Sequence, residues 1–112
     1  MKLSEIKDIL NADVLTGEEF MDKDASSACG CDLMSDVLAF VKDRAVLLTG
    51  LMNPQVIRTA EMMDIETVIF VRGKKPDDAI VGMAKMKDIV IMTTEYPLYI
   101  ASGKLYAAGL GN

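Results

Sequence analysis

The sequence predicts an α/β domain built on a mainly parallel sheet of about four to five strands. Three stretches carry this reading, each an apolar β-rich run, then a small polar turn, then a helix-forming segment. Ala45-Val46-Leu47-Leu48-Thr49-Gly50 leads to Asn53-Pro54. Thr67-Val68-Ile69-Phe70-Val71-Arg72-Gly73 leads to Pro76-Asp77. Asp88-Ile89-Val90-Ile91-Met92-Thr93-Thr94 leads to Tyr96-Pro97. Strands alternating with helices imply parallel pairing through right-handed crossovers. Ligands of such sheets sit beyond the carboxyl ends of the strands, so the three turns mark where a site would lie.

In chain order, Ser4 is placed to cap a helix over 5–10, with Leu3, Ile6, Ile9 and Leu10 as its apolar positions. Asp13-Val14-Leu15 reads as a short strand ending at Thr16-Gly17. The acidic stretch 18–24 reads as a loop or a single turn, and the small residues of 25–30 as a second short strand. Asp32 is expected to cap a helix running to about residue 43, with Leu33, Val37, Leu38, Phe40 and Val41 turned inward. A strand over 45–49 follows. Asn53 is a good N-cap, and Pro54 has its φ preset for the first helical position. That helix runs to about residue 64 and packs Val56, Ile57, Ala60 and Met63. After a strand over 67–71, Pro76-Asp77-Asp78 opens a helix with two carboxylates at the positive end of its dipole. Its sheet-facing positions are Ile80, Met83, Ala84 and the stem of Lys87. A strand over 89–92 precedes a last helix from 97 to about 108, ended by Gly109.

Length and composition bound the function. The 112 residues form one domain, 1–112, with enough chain for a single core. An apolar fraction of 51% with only 5% aromatic makes that core aliphatic, with the nine Met as gap-fillers. The net charge of −5 argues against binding a nucleic-acid backbone, which needs a basic face. The apolar runs are strand length, far short of the roughly 20 residues of a membrane span. With two Cys and no export signal at Met1-Lys2-Leu3-Ser4-Glu5, the expected compartment is the cytoplasm. The chain contains no His, which closes Ser-His-Asp and Cys-His catalysis and His-based metal sites.

Three features remain as candidate chemistry. In Cys29-Gly30-Cys31-Asp32, a helix starting at Asp32 would put both thiols near its positive end and lower a thiol pKa. Such a pair could serve redox chemistry or a metal, yet two thiolates fall short of the usual four ligands. Two small apolar residues filling space is the better reading. The second feature is the set of strand-end turns: Thr49, Gly50 and Asn53, then Arg72, Gly73, Lys74 and Lys75, then Thr93, Thr94 and Glu95. Glycines admit a ligand to the backbone, helix N-terminal amides attract anions, and Arg72 and Lys74 add positive charge. The same residues also suit βα turns for geometry alone. Neither GxxxxGK[ST] nor GxGxxG is present, and no catalytic acid–base pair stands out. Third, Tyr99 and Tyr106 lie seven apart on one face of the last helix. Covering the core is the better reading for that helix, and meeting a partner chain the other.

Several segments together resemble the DRTGG domain family. They are Asp32-Leu33-Met34-Ser35-Asp36-Val37-Leu38-Ala39, then Leu48-Thr49-Gly50-Leu51-Met52-Asn53-Pro54-Gln55-Val56-Ile57-Arg58-Thr59-Ala60, and Ile69-Phe70-Val71-Arg72-Gly73-Lys74-Lys75-Pro76. The opening, Lys2-Leu3-Ser4-Glu5-Ile6 with Asp13-Val14-Leu15-Thr16-Gly17, resembles the small stand-alone members. The literal DRTGG string is absent, and Val71-Arg72-Gly73-Lys74 stands in the turn comparable with its end. The resemblance implies a three-layer α/β/α domain similar to the N-terminal domain of HPr kinase/phosphorylase. It also implies a regulatory module without agreed catalytic residues. Asp32, Ser35, Asp36, Asn53 and Arg58 match its recurring positions.

The resulting expectation is a non-catalytic regulatory or ligand-sensing module, acting as a homodimer. It would bind a small anionic metabolite or a protein partner at the strand carboxyl edge, with no nucleic-acid or membrane partner and no cofactor specified. The alternative is a redox or metal-carrying accessory protein using Cys29 and Cys31.

Overall fold

The computed structural model describes residues 1–40, 42 and 44–111, without the Phe40 side chain. The chain forms α1 (Leu3–Leu10), β1 (Asp13–Thr16), a 3-10 turn (Glu18–Phe20), β2 (Ser27–Gly30), α2 (Met34–Phe40) and β3 (Ala45–Thr49). It continues through α3 (Gln55–Met62), β4 (Thr67–Phe70), α4 (Asp78–Met86), β5 (Val90–Thr93) and α5 (Leu98–Ala107). The five strands make one sheet in the order β1-β5-β4-β3-β2. β2, β3, β4 and β5 are parallel, while β1 joins antiparallel beside β5 with a register shift between Val14 and Thr16.

Two cores flank the sheet, giving the three layers α/β/α. On one face Leu3, Ile6 and Leu10 of α1 and Ala101 and Leu105 of α5 meet Val46, Leu48, Ile69, Val90 and Met92. On the other, Met34 and Val37 of α2, Val56, Ile57 and Ala60 of α3, and Ile80 and Ala84 of α4 meet Leu47, Val68, Phe70 and Ile91. Alternate strand residues serve opposite faces. Both faces are covered, so β3, β4 and β5 are buried at every position. This is why the strands read as continuous apolar runs.

The helix boundaries follow their caps, and several differ from the expectation. α1 starts at Leu3, not Glu5: the Glu5 carboxylate accepts from the Lys2 amide over 3.2 Å, so the cap falls at Lys2, two residues ahead of Ser4. Asp32 does not cap α2. The Leu33 carbonyl accepts the first helical amides, from Asp36 and Val37, while the Asp32 carboxylate turns to the end of β3. With the start displaced, Met34 and Val37 are the buried positions, and Leu33 (58% exposed) and Leu38 (44%) face outward. Val41, Asp43 and the Phe40 side chain lie outside the described residues. Asn53 behaves as expected, its Oδ1 accepting from the Gln55 amide at 2.8 Å. So does Asp77, whose Oδ1 accepts from the Ile80 amide at 3.0 Å. The Lys87 ammonium reaches Glu61 of α3 at 2.7 Å.

α5 buries Ala101 and Leu105 against the sheet, with Leu98 half-buried beside them. Tyr99 and Tyr106 do share a face, but it is the solvent face, at 85% and 74% exposure. The core reading fails for these two because the face that meets the sheet is the one carrying Ala101 and Leu105. Met34 and Met92 are core residues, whereas Met62 and Met86 are exposed. Among the described residues no helix is long and apolar enough to cross a membrane.

Candidate functional site

The helices following β2, β3 and β4 all pack on one face of the sheet, whereas α5, following β5, packs on the other. The connections leaving β4 and β5 therefore diverge, which makes the gap between those two strand ends the topological switch point. Its walls are the turn at Arg72-Gly73-Lys74 and the segment Thr94-Glu95-Tyr96.

The β4 turn is a tight reversal. The Lys74 amide donates to the Val71 carbonyl at 3.3 Å, with φ of +62° at Arg72 and +67° at Gly73. Two successive left-handed residues define a type I′ turn, which glycine adopts freely and arginine does not. The turn is stitched to the other wall: the Arg72 amide donates to the Tyr96 carbonyl (2.9 Å) and the Gly73 amide to the Thr94 carbonyl (2.8 Å). The Glu95 carboxylate lies against Gly73 so closely that a Cβ there would overlap it. Gly73 is thus required twice, by its backbone and by its neighbour. The Arg72 guanidinium is exposed and has no ion-pair partner among the described residues.

A second cluster forms beside this gap at the end of β3. Asp32 Oδ1 accepts from the Gly50 amide at 2.7 Å and from the Thr49 hydroxyl at 3.0 Å. The Thr49 hydroxyl accepts in turn from the Leu51 amide at 3.1 Å. Lys74 bridges the two clusters, its ammonium donating to the Gly50 carbonyl at 2.9 Å. A Cβ at Gly50 would stand in van der Waals contact with the Asp32 carboxylate and the Lys74 ammonium, at 3.7 Å from each. Asp32, Thr49, Gly50, Arg72, Gly73 and Lys74 are therefore brought together on one edge.

The remaining sequence candidates are placed differently. Asn53 precedes α3 at the same edge, and its capping bond uses only the side-chain oxygen, leaving the amide nitrogen as a donor. Arg58 lies one turn into α3 and is exposed; Ser35 and Asp36 lie exposed in the first turn of α2. Thr93 and Thr94 are buried, and the Thr94 hydroxyl donates to the Leu10 carbonyl at 2.7 Å. These threonines hold the frame. Glu95, the last residue of the third strand-end turn, and Tyr96 form the second wall. Lys104 rests over the Tyr96 ring at 4.8 Å.

Cys29 and Cys31 are half-buried free thiols packed toward α2, α3 and α4. Burial raises the Cys29 pKa, with Cys31 and Asp36 adding to the rise, opposite to the expected lowering. The helix that was to lower it begins beyond Asp32, and a carboxylate stands in its first turn. Among the described residues no group of three or more acidic or thiol side chains could hold a metal ion. Away from the strand ends, a groove of about 720 Å³ runs between α5 and β2, lined by Ala28, Gly30, Tyr99, Ile100, Tyr106 and Leu110.

The layers and the divergent strand ends define an α/β domain with a DRTGG-like fold. It is similar to the CBS and DRTGG domains of the regulatory region of Clostridium perfringens pyrophosphatase, whose crystal structure is a complex with the activator diadenosine tetraphosphate. The TM-score is 0.74 at 20% identity, over 93% of this chain. The match spans 45% of that chain, under half its length. No protein-family model and no curated protein matches the sequence.

Proposed function

We propose that this chain is a non-catalytic regulatory module that senses a small anionic ligand at the β4–β5 switch point. The observation that carries the reading is Arg72: an exposed guanidinium with no ion-pair partner among the described residues, on left-handed backbone at the end of β4, with Lys74 and Lys75 next to it in sequence. Backbone strain kept at a strand end where ligands bind is a mark of function. The likeness to a regulatory region crystallised with a polyanionic activator supports the class of ligand.

In this reading Arg72, Lys74 and the Asn53 amide group contact the anion. Gly50 and Gly73 form the turns that carry these groups, and Asp32 with Thr49 holds the β3 turn in place. Arg58, Ser35 and Asp36 form the outer rim, and Thr93 and Thr94 support the floor. The module works in the cytoplasm as a homodimer, passing the bound state to a protein partner.

Titration calorimetry with diadenosine tetraphosphate and with inorganic pyrophosphate tests this. Binding lost in the Arg72→Ala/Asn53→Ala double variant, with an unchanged melting temperature, is the expected result. Binding that persists unchanged sinks the placement.

A second reading, docking of a protein partner, is favoured by one observation: Tyr99, Ile100 and Tyr106 stand exposed along the groove beside β2. Aromatic side chains clustered at a groove suit an interface. The redox or metal alternative draws only on Cys29 and Cys31, and the raised Cys29 pKa opposes a reactive resting thiolate there.

A further inference from the structure

Cys29 lies in β2 and Cys31 just past its end, with Gly30 between them, and both pack toward the same core. Both are free and half-buried. Strand residues two apart have Cα atoms about 6.6 Å apart. A disulfide accepts at most about 6.8 Å, but it also needs Cβ atoms about 3.5–4.5 Å apart, so closure requires the chain to bend. Gly30 is where it can bend, at the cost of its pairing with Leu48 and its packing against Leu98 and Ser102.

Beyond Cys31 the chain enters the candidate site. The Cys31 amide donates to the Leu48 carbonyl at 3.0 Å, keeping the end of β2 in register. The Cys31 sulfur accepts from the Leu33 amide at 3.3 Å, and its S–H donates to the Leu33 carbonyl at 3.2 Å. Between these two residues stands Asp32, whose carboxylate holds Gly50 and Thr49. Anything that moves Cys31 moves Asp32.

We propose that Cys29-Gly30-Cys31 is a thiol–disulfide exchange site, oxidised by low-molecular-weight disulfides, whose closure releases the Asp32 clasp on the β3 turn. The Cys31 thiolate attacks one sulfur of the small disulfide RSSR, forms a mixed disulfide and expels RS⁻. Cys29 then gives its proton to water and attacks the Cys31 sulfur, forming the Cys29–Cys31 bond and expelling the second RS⁻. Two electrons pass from the two cysteines to RSSR, and two RSH leave after protonation. Burial makes Cys29 the poorer first nucleophile, which sets this order. Closure bends the chain at Gly30, breaks the Cys31–Leu48 and Cys31–Leu33 bonds, and draws Asp32 off Gly50. Neither step involves a ligand, so the exchange site is independent of the ligand-sensing reading.

The test uses oxidised glutathione on the whole chain, with intact mass and amide hydrogen exchange as readouts. The expected product is a monomeric chain lighter by two hydrogens and free of glutathione. In Cys29→Ser a glutathione adduct persists, because nothing expels it. In Cys31→Ser the first step slows roughly tenfold or more. Exchange at the Gly50 amide speeds up by roughly tenfold in the oxidised protein, as loss of a charge-assisted hydrogen bond requires. Wild-type chain that stays reduced, retains glutathione or links to a second chain overturns the exchange site. Unchanged Gly50 exchange in the closed form overturns the coupling. Both readouts are made on the wild type, so a variant that fails to fold leaves the test intact.

Discussion

The Thr94 hydroxyl donates to the Leu10 carbonyl over 2.7 Å, tying the segment after β5 to the C-terminal end of α1, 84 residues away in sequence. The same oxygen accepts from the Tyr96 amide at 3.3 Å. Leu10 ends its helix, so its carbonyl is among the acceptors that a helix cannot satisfy internally. One buried hydroxyl thus closes a helix end and fixes the path by which the chain changes faces of the sheet.

Thr94→Val keeps the shape and removes the bond, leaving the Leu10 carbonyl without its donor. A loss of about 1–3 kcal/mol is expected. Thr94→Ser, which keeps the hydroxyl, should retain more of the stability. Urea midpoints of the three proteins check this. A Val variant as stable as wild type would show that the hydroxyl is not structural.

Asp32 tests the second cluster. Asp32→Ala removes the acceptor for Gly50 and Thr49 and is expected to cost about 1 kcal/mol, the scale of a hydrogen bond at a solvent-accessible carboxylate. Asp32→Asn keeps an oxygen acceptor and should cost less. Exchange at the Gly50 amide reports the clasp directly: faster in the Ala variant, near wild type in the Asn variant. Equal rates in all three would remove Asp32 from its role.

Why the sequence misplaced Asp32 is physical. A short polar residue before an apolar periodic run satisfies the local rule for a helix cap. Its actual partner, Thr49, is 17 residues away and becomes a neighbour only once β2 and β3 pair in register. Leu33 failed with it because it lies ahead of α2 and not in it, and Leu38 because the buried face of that helix is centred on Met34 and Val37. Tyr99 and Tyr106 do share a face, but spacing alone does not say which face meets the sheet. The strand carboxyl edge was legible because continuous apolar runs ending in Gly and Thr belong to strands buried on both faces. The contact between Glu95 and Gly73 was not legible, because it depends on two turns from different strands.

Gly73 and Glu95 give a paired prediction. Gly73→Ala places a side chain at φ of +67°, which costs about 1–2 kcal/mol, and pushes the Glu95 carboxylate aside. Glu95→Gln removes a negative charge from the wall of the proposed anion site without a backbone penalty. Calorimetric binding of inorganic pyrophosphate should tighten in Glu95→Gln, by roughly tenfold if the carboxylate and anion compete at close range. Weaker or unchanged binding would place the anion elsewhere.

The Cys29 thiol carries a pH dependence whose sign is fixed by its raised pKa. The protonated, neutral form is favoured in the folded chain because burial, and then Cys31 and Asp36, oppose the thiolate. The folded state therefore holds its proton to higher pH than the unfolded chain does. Its full contribution is present below the unfolded thiol value of about 8.5. It is lost as pH rises from there through the higher folded value, because the unfolded chain is then stabilised by ionising first. Wild-type stability should thus fall faster than that of Cys29→Ala as pH rises above about 8.5. The difference between the two urea-midpoint curves isolates Cys29 from the Lys and Tyr residues that titrate in the same range. Parallel curves would mean that the thiol is as well solvated in the fold as outside it, and Cys29 would then be as able as Cys31 to make the first attack on a disulfide.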